Sequence, residues 1–368
     1  MASFQALLIV IALLVAYANG ANDNFKGVAT LYGGGTLSYR HALLVATAAT
    51  LLGSLASWYL AASLLKSFHG AGLVPAGLAG NVRFVLATGF GAAITVLLAA
   101  LLGIPISTTH ALLGGMLGAA LASGALPKWG TLDHSFVVPL LFSPLAVIPV
   151  TAVAYLTLVR LVPVGLPGNE TCLCVNNETI CTPTLAGNAA SALTVLTLTV
   201  APEAECRERY VDAALHLNVD RGLDWLHVLS AAAVSFARGV NDTPKMAALL
   251  VISPLIGARE TVVLVGLVIA LGGLLNARRV AETMSHRITI LDPRRGLAAN
   301  VATAFMVLLA SRWGMPVSTT HVSCGALFGV GALSGGARWR TIRGIIIAWL
   351  VTLPAAAALS AAAIVVLR

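Results

Sequence analysis

Apolar residues run through this chain in long unbroken stretches instead of recurring at every third or fourth position, so the pattern predicts helices that are apolar on every face. Such helices lie in the core of a large protein or in a membrane. The stretches cover residues 4–19, 42–65, 84–102, 136–159, 223–237, 261–276, 297–311 and 345–367. A helix needs roughly 17–25 residues to cross the hydrocarbon of a bilayer. Shorter and more interrupted apolar runs follow Asp23, His110, Asp242 and His321. The expected class is an all-α polytopic membrane protein.

Composition agrees, because 58% of the 368 residues are hydrophobic and only 10% are charged, which excludes an ordinary soluble domain. The net charge of +8 reads as basic cytoplasmic loops rather than as a nucleic-acid surface. Ala16-Tyr17-Ala18 resembles a signal-peptide cleavage site, but no Lys or Arg precedes the first apolar run. Cleavage there would also detach the first Asn-Asp from its helix. That run is therefore expected to remain as a span.

The chain repeats itself. "GANDNFKGVATL" at Gly20 matches "GVNDTPKMAALL" at Gly239, and "GIPISTTHALLGGMLGAAL" at Gly103 matches "GMPVSTTHVSCGALFGVGAL" at Gly314. Two transmembrane halves, 1–160 and 223–368, follow one plan, with a small soluble insert at 161–222. Suppose each half has a broken first helix, a second span, a re-entrant hairpin carrying Ser-Thr-Thr-His and a last span. The halves then have opposite topology, as inverted-repeat transporters do. The basic clusters Arg278, Arg279, Arg287, Arg294, Arg295 and Arg338, Arg340, Arg343 orient them. With both clusters in the cytoplasm, Arg40 and Arg160 fall inside, while Lys66, Arg83, Lys128, Arg259 and both termini fall outside.

The insert contains Cys172, Cys174, Cys181 and Cys206, and "TCLCVNNETICT" reads as a hairpin turning at Asn176-Asn177. The cysteines are thiols or a metal site if cytoplasmic and disulfides if external. Parity places the insert inside, whereas the sequons at Asn169 and Asn177 argue for outside. The uncharged run 184–200 would spoil the parity if it were a further span.

The motifs carry the chemistry. Gly20 with Asn22, and Gly239 with Asn241, are poor helix-interior residues, and Pro244 begins a helical turn well. Each Asn-Asp is thus expected at a helix break. A carboxylate at membrane depth is a functional site by default, and the oxygens of Asn22, Asp23, Asn241 and Asp242 suit a hard cation. In "PISTTH" and "PVSTTH" the Pro breaks the incoming helix. Ser107, Thr108, Thr109, Ser318, Thr319 and Thr320 then offer hydroxyls and free N–H groups at helix N-termini, which are anion sites. His110 and His321 lack a metal-ligand spacing and are expected to bond backbone at their own loops.

Two N-D motifs and two P-x-S-T-T-H motifs, in this order in two halves, resemble the PiT family of inorganic phosphate transporters, also called phosphate permeases. The resemblance covers both halves and not the insert. It implies an inverted-repeat fold, a homodimer, phosphate held between the hairpin loops and cations near the Asn-Asp pairs. Phosphate contacts then fall to Ser107, Thr108, Thr109, Ser318, Thr319 and Thr320, and cation contacts to Asn22, Asp23, Asn241 and Asp242. One departure concerns the coupling ion. Sodium-driven members commonly read N-D-V-A-N, whereas here Lys26 and Lys245 stand three residues after each Asp, on the same helical face. A Lys so placed pairs with the carboxylate, takes a cation's place, contacts phosphate, or extends to the membrane surface.

The expected function is secondary active transport of inorganic phosphate at the cell membrane, by symport with Na⁺ or H⁺. No cofactor, resident metal or nucleic-acid partner is expected. The first alternative is a permease for another oxyanion such as sulfate. The second is an intramembrane metalloenzyme using His110, His321 and the two Asp residues, against which no H-E-x-x-H or G-x-S-x-G motif is present.

Overall fold

Each apolar run becomes a helix, and the two halves contribute matching sets. The computed structural model describes residues 2–68, 72–161, 171–182, 191–202 and 215–367. Among these, the longer helices of the first half are α1 (Ala2–Asp23), α2 (Tyr39–Leu60), α3 (Val82–Leu102), α4 (Thr108–Ala122) and α5 (Val138–Leu161). Those of the second half are α6 (Val219–Ala247), α7 (Ala258–Asn276), α8 (Pro293–Arg312), α9 (Thr319–Leu333) and α10 (Trp339–Val366). Six segments, containing α1, α2, α3, α5, α7 and α10, are long and apolar enough to cross a membrane. The chain is a multi-pass integral membrane protein, all-α among the described residues outside the segment 171–218. The expected spans at 223–237 and 297–311 lie within α6 and α8, of 29 and 20 residues, which carry several charged side chains.

Chain contacts divide the molecule into one unit formed by 1–157 with 227–368 and another formed by 158–226. In the larger unit α1 packs against α3 and α7, α2 against α7, and α4 against α3 and α10. Elements of both halves therefore build one interior. Close approach is set by small residues, the usual device of helix packing in lipid. A Cβ at Gly20 would run into the Ile269 carbonyl of α7, and one at Gly239 into the Thr50 carbonyl of α2.

That changes the reading of the two motif glycines. Both lie inside helices, where they admit a neighbouring backbone, and neither marks a break. In the first half the break follows Asp23, where a 3₁₀ turn at Asn24–Gly27 replaces α1. In the second half the break comes later than expected. α6 continues through Asn241, Asp242 and Pro244 to Ala247 before a 3₁₀ turn at Ala248–Leu250. Pro244 stands in the last turn of α6, where its missing N–H interrupts the ladder just before the helix ends.

The smaller unit contains a three-stranded antiparallel sheet of order β2-β1-β3, with β1 at Thr171–Thr182, β2 at Ser191–Pro202 and β3 at Leu215–Asn218. The expected hairpin turn at Asn176-Asn177 does not form. Both residues lie mid-strand, paired with Thr197 and Leu196, because β1 finds a ladder partner along its whole length in β2. The uncharged run is strand from Ser191 onward and not a membrane helix, while residues 184–190 lie outside the described residues. Cys172, Cys174 and Cys181 all fall on β1, and Cys206 and Asn169 lie outside the described residues.

Candidate functional site

The two Ser-Thr-Thr-His segments begin helices by the same local mechanism. α3 ends at Leu102, and Gly103 takes a left-handed φ of 72°. Gly314 follows α8 with φ 68°. A left-handed glycine lets the next residue bond back to the last turn. Ile104 N–H donates to the Ala99 carbonyl at 2.9 Å, and Met315 N–H to the Ala310 carbonyl at 2.9 Å. The glycines thus stop the helices, and Pro105 and Pro316 keep them from resuming. Four extended or loop residues later, Ser107 Oγ accepts from His110 N–H at 3.2 Å and Ser318 Oγ from His321 N–H at 3.2 Å. Each Ser is an N-cap. Its own hydroxyl hydrogen is left for a further acceptor.

Against these loops stand the Asn-Asp motifs, and every residue singled out in the sequence is buried there. Lys26 Nζ lies within hydrogen-bond distance of four acceptors, Asp23 Oδ1, Asn22 Oδ1 at 2.8 Å, the Ile106 carbonyl at 3.0 Å and Thr320 Oγ1 at 2.5 Å. Lys245 Nζ donates to Asp242 Oδ1 at 3.2 Å, to the Val317 carbonyl at 2.8 Å and to Thr109 Oγ1 at 2.9 Å. Each Lys thus reaches its own Asp, the loop of its own half and the Thr of the opposite loop. With Lys26 only 4% and Lys245 1% exposed, neither side chain extends to a membrane surface.

The Thr hydroxyls complete the crossing. Thr320 Oγ1 donates to the Ile106 carbonyl at 2.7 Å, and Thr109 Oγ1 to the Val317 carbonyl at 3.5 Å. Asn22 braces its loop, donating to the Ile104 carbonyl at 2.9 Å while its Oδ1 accepts from Ile106 N–H at 3.2 Å. Asn241 donates to the Val317 carbonyl at 3.3 Å and accepts from Ser311 Oγ at 3.1 Å. Thr108 lies 3.5 Å from Asp23 Oδ2, and Thr319 lies 3.4 Å from Asp242 Oδ2, both as donors.

Two further residues belong to the site and were not singled out in the sequence. Asn19 Nδ2 approaches Asp23 Oδ2 at 3.0 Å, Asp242 Oδ2 at 3.3 Å and Thr108 Oγ1 at 3.1 Å, so the carboxylates of both halves meet at one amide. Arg238, 1% exposed, donates to Asn19 Oδ1 at 3.4 Å, Asn24 Oδ1 at 3.1 Å and Thr50 Oγ1 at 3.0 Å. By holding the amide oxygen, Arg238 turns the Asn19 nitrogen toward the acids. The repeat did contain the signal: Asn19 and Arg238 occupy the same column, one residue before the shared Gly. Their buried side chains bring three cationic groups, Lys26, Lys245 and Arg238, to two carboxylates. That balance favours an anion.

The histidines stand behind the loops. Their rings lie 4.5 Å apart between centroids, and His321 packs on Trp349 at 3.9 Å. His321 Nδ1 pairs with the Leu140 carbonyl of α5 at 3.2 Å rather than with its own loop, and Trp349 Nε1 donates to the Pro105 carbonyl at 3.1 Å. The His110 ring serves as a packing surface for His321 instead of bonding loop backbone. An apolar groove walled by Leu141, Ile148, Phe328 and Ile346 ends at these rings. Its walls offer no donor set for an oxyanion. Among the described residues, no cluster of three or more His, Cys, Asp or Glu is placed to hold a metal.

The chain is similar to known proteins in fold and in sequence. A solved structure described as "The sodium-dependent phosphate transporter" superposes with a TM-score of 0.69 over 99% of each chain at 22% identity, which establishes a shared fold. A Mycobacterium tuberculosis protein described as "Probable low-affinity inorganic phosphate transporter" is 28% identical over 364 residues, 95% of this chain and 74% of that one. A candidate phosphate permease of Pyrococcus furiosus is 27% identical over 394 residues, 95% of this chain and 93% of that one. The phosphate transporter family model matches residues 19–360, which span both loops, both Asn-Asp motifs and the insert between them. The chain belongs to the phosphate transporter family, a family of transporters and not of enzymes.

Proposed function

We propose that this protein carries inorganic phosphate across the membrane as a secondary active transporter, in symport with a cation. The observation that carries the reading is the crossing of two capped helix N-termini, at Ser107 and Ser318, around buried Lys26 and Lys245, with buried Arg238 joined to them through Asn19. Phosphate binds between the loops. Helix dipoles and free first-turn N–H groups of α4 and α9 face it, and Thr109 and Thr320 donate once their hydroxyl hydrogens turn from the Val317 and Ile106 carbonyls. The turn leaves each hydroxyl oxygen accepting from its lysine. The relatives' descriptions as phosphate transporters or permeases support the substrate.

Reciprocal contacts between matched residues, Lys26 with Thr320 and Lys245 with Thr109, are what a two-fold relation between the halves generates. They support the inverted-repeat plan, in which one half rocks against the other around a fixed midplane site. Asp23 and Asp242 then link substrate binding to the symported cation. The test is uptake of labelled phosphate into proteoliposomes, with Na⁺ and pH gradients imposed separately and sulfate as competitor. Saturable, concentrative uptake that equimolar sulfate does not block is expected. Equal competition by sulfate would reassign the substrate.

A further inference from the structure

We infer that Lys26 and Lys245 are tethered cations: their ammonium nitrogens fill two matched oxygen shells that a free monovalent cation would otherwise take, so transport does not need sodium at these positions. The inference rests on the transport reading and specifies its coupling. Around Lys26 Nζ stand a carboxylate, an amide, a backbone carbonyl and a hydroxyl oxygen, from Asp23, Asn22, Ile106 and Thr320. An ammonium has three N–H donors, so four acceptors exceed what one lysine satisfies at once. Oxygens gathered in that number and mixture resemble the ligand set of a hard cation. The Lys245 shell repeats three of the four classes, with Asp242, Val317 and Thr109.

The two shells are built from equivalent positions of the repeat, and each draws its hydroxyl from the opposite half. Neither is therefore an accident of one helix end. Both ammoniums are buried, and a second positive charge inside either shell would be repelled strongly at low effective dielectric. Arg238, held close by through Asn19, adds to that repulsion. The similar fold of a transporter described as sodium-dependent does not conflict, since a likeness at 22% identity establishes the fold alone.

Two readouts test this on the purified full-length protein. The first is phosphate uptake into proteoliposomes with an inward Na⁺ gradient or an equal choline gradient at fixed pH. A cation with no differential affinity for the two states shifts nothing, so the rates should agree within about twofold. Greater stimulation by Na⁺ overturns the inference while leaving phosphate transport standing. Absence of uptake under any imposed gradient would instead sink the transport reading. The second readout is independent of transport: melting temperature in NaCl against choline chloride. Lys26→Ala and Lys245→Ala open their shells and should each gain a Na⁺-specific rise, because binding to the native state stabilises it. The unmodified protein should show none. A Na⁺-specific rise in the unmodified protein, or its absence in both folded variants, overturns the proposal, and the first condition stands even if a variant fails to fold.

Discussion

Residues 19–26 and 238–245 place Gly, Asn, Asp and Lys at the same offsets, yet the backbone treats them differently. α1 ends on Asp23 and hands Lys26 to a 3₁₀ turn, while α6 runs on as α-helix past Lys245. The Asp–Lys pair forms in both. An offset of three brings side chains together in a 3₁₀ turn and in an α-helix alike, so the chemistry survives a change of local structure. Four columns differ, and the first of them sets Asn19 against Arg238. The two lysine shells have carboxylate, carbonyl and hydroxyl in common, and Arg238 in the first column supplies the positive charge in excess of the two carboxylates.

The largest effects are expected at the carboxylates. Asp23→Asn and Asp242→Asn each strand a buried lysine, and removing one partner of a buried pair costs about 3–5 kcal/mol. Both variants should lose concentrative phosphate uptake in proteoliposomes. If only one does, the halves are not equivalent in coupling.

The hydroxyls come next. Thr109→Val and Thr320→Val keep shape and remove a donor, and a hydrogen bond to a charged group is worth about 1.5–3 kcal/mol. Phosphate affinity should fall roughly tenfold to a hundredfold. Equal losses, measured by binding of labelled phosphate, sharpen the two-fold relation, and a large inequality breaks it.

A double-mutant cycle on Asn19→Ala and Arg238→Ala addresses the asymmetric column. If Arg238 acts by orienting the Asn19 amide, the two losses in phosphate affinity should be non-additive, with a coupling of about 0.5–3 kcal/mol. Additive losses would separate them. The mildest change is at the glycines. Gly20→Ala and Gly239→Ala force a methyl into a facing carbonyl, and overpacking of this kind costs about 1–3 kcal/mol. Each should lower the melting temperature with the site chemistry unchanged.

Much of this was legible in the sequence, and the limit has a physical form. Helices and their order follow from apolar runs, since only hydrogen-bonded helices satisfy backbone inside lipid when no barrel pattern is present. Spacing also put each Lys on the face of its Asp. It did not tell where that face points, because the partners that bury Lys26 and Lys245, Thr320 and Thr109, lie in the opposite half. Arg238 was missed for the same reason: its acceptors come from α1, the turn after it and α2. The β1 strand was misjudged because Asn-Asn favours a turn locally, and a partner strand in register outweighs that preference.

On the proposed function, one phosphate is held jointly by the loops of both halves. Equilibrium binding of labelled phosphate to the purified protein and to the Thr109→Val/Thr320→Val double variant tests it most directly. One saturable site per chain is expected in the unmodified protein, with a loss in the double variant far exceeding that of either single variant. Unchanged binding by the double variant, in protein that melts normally, would contradict it.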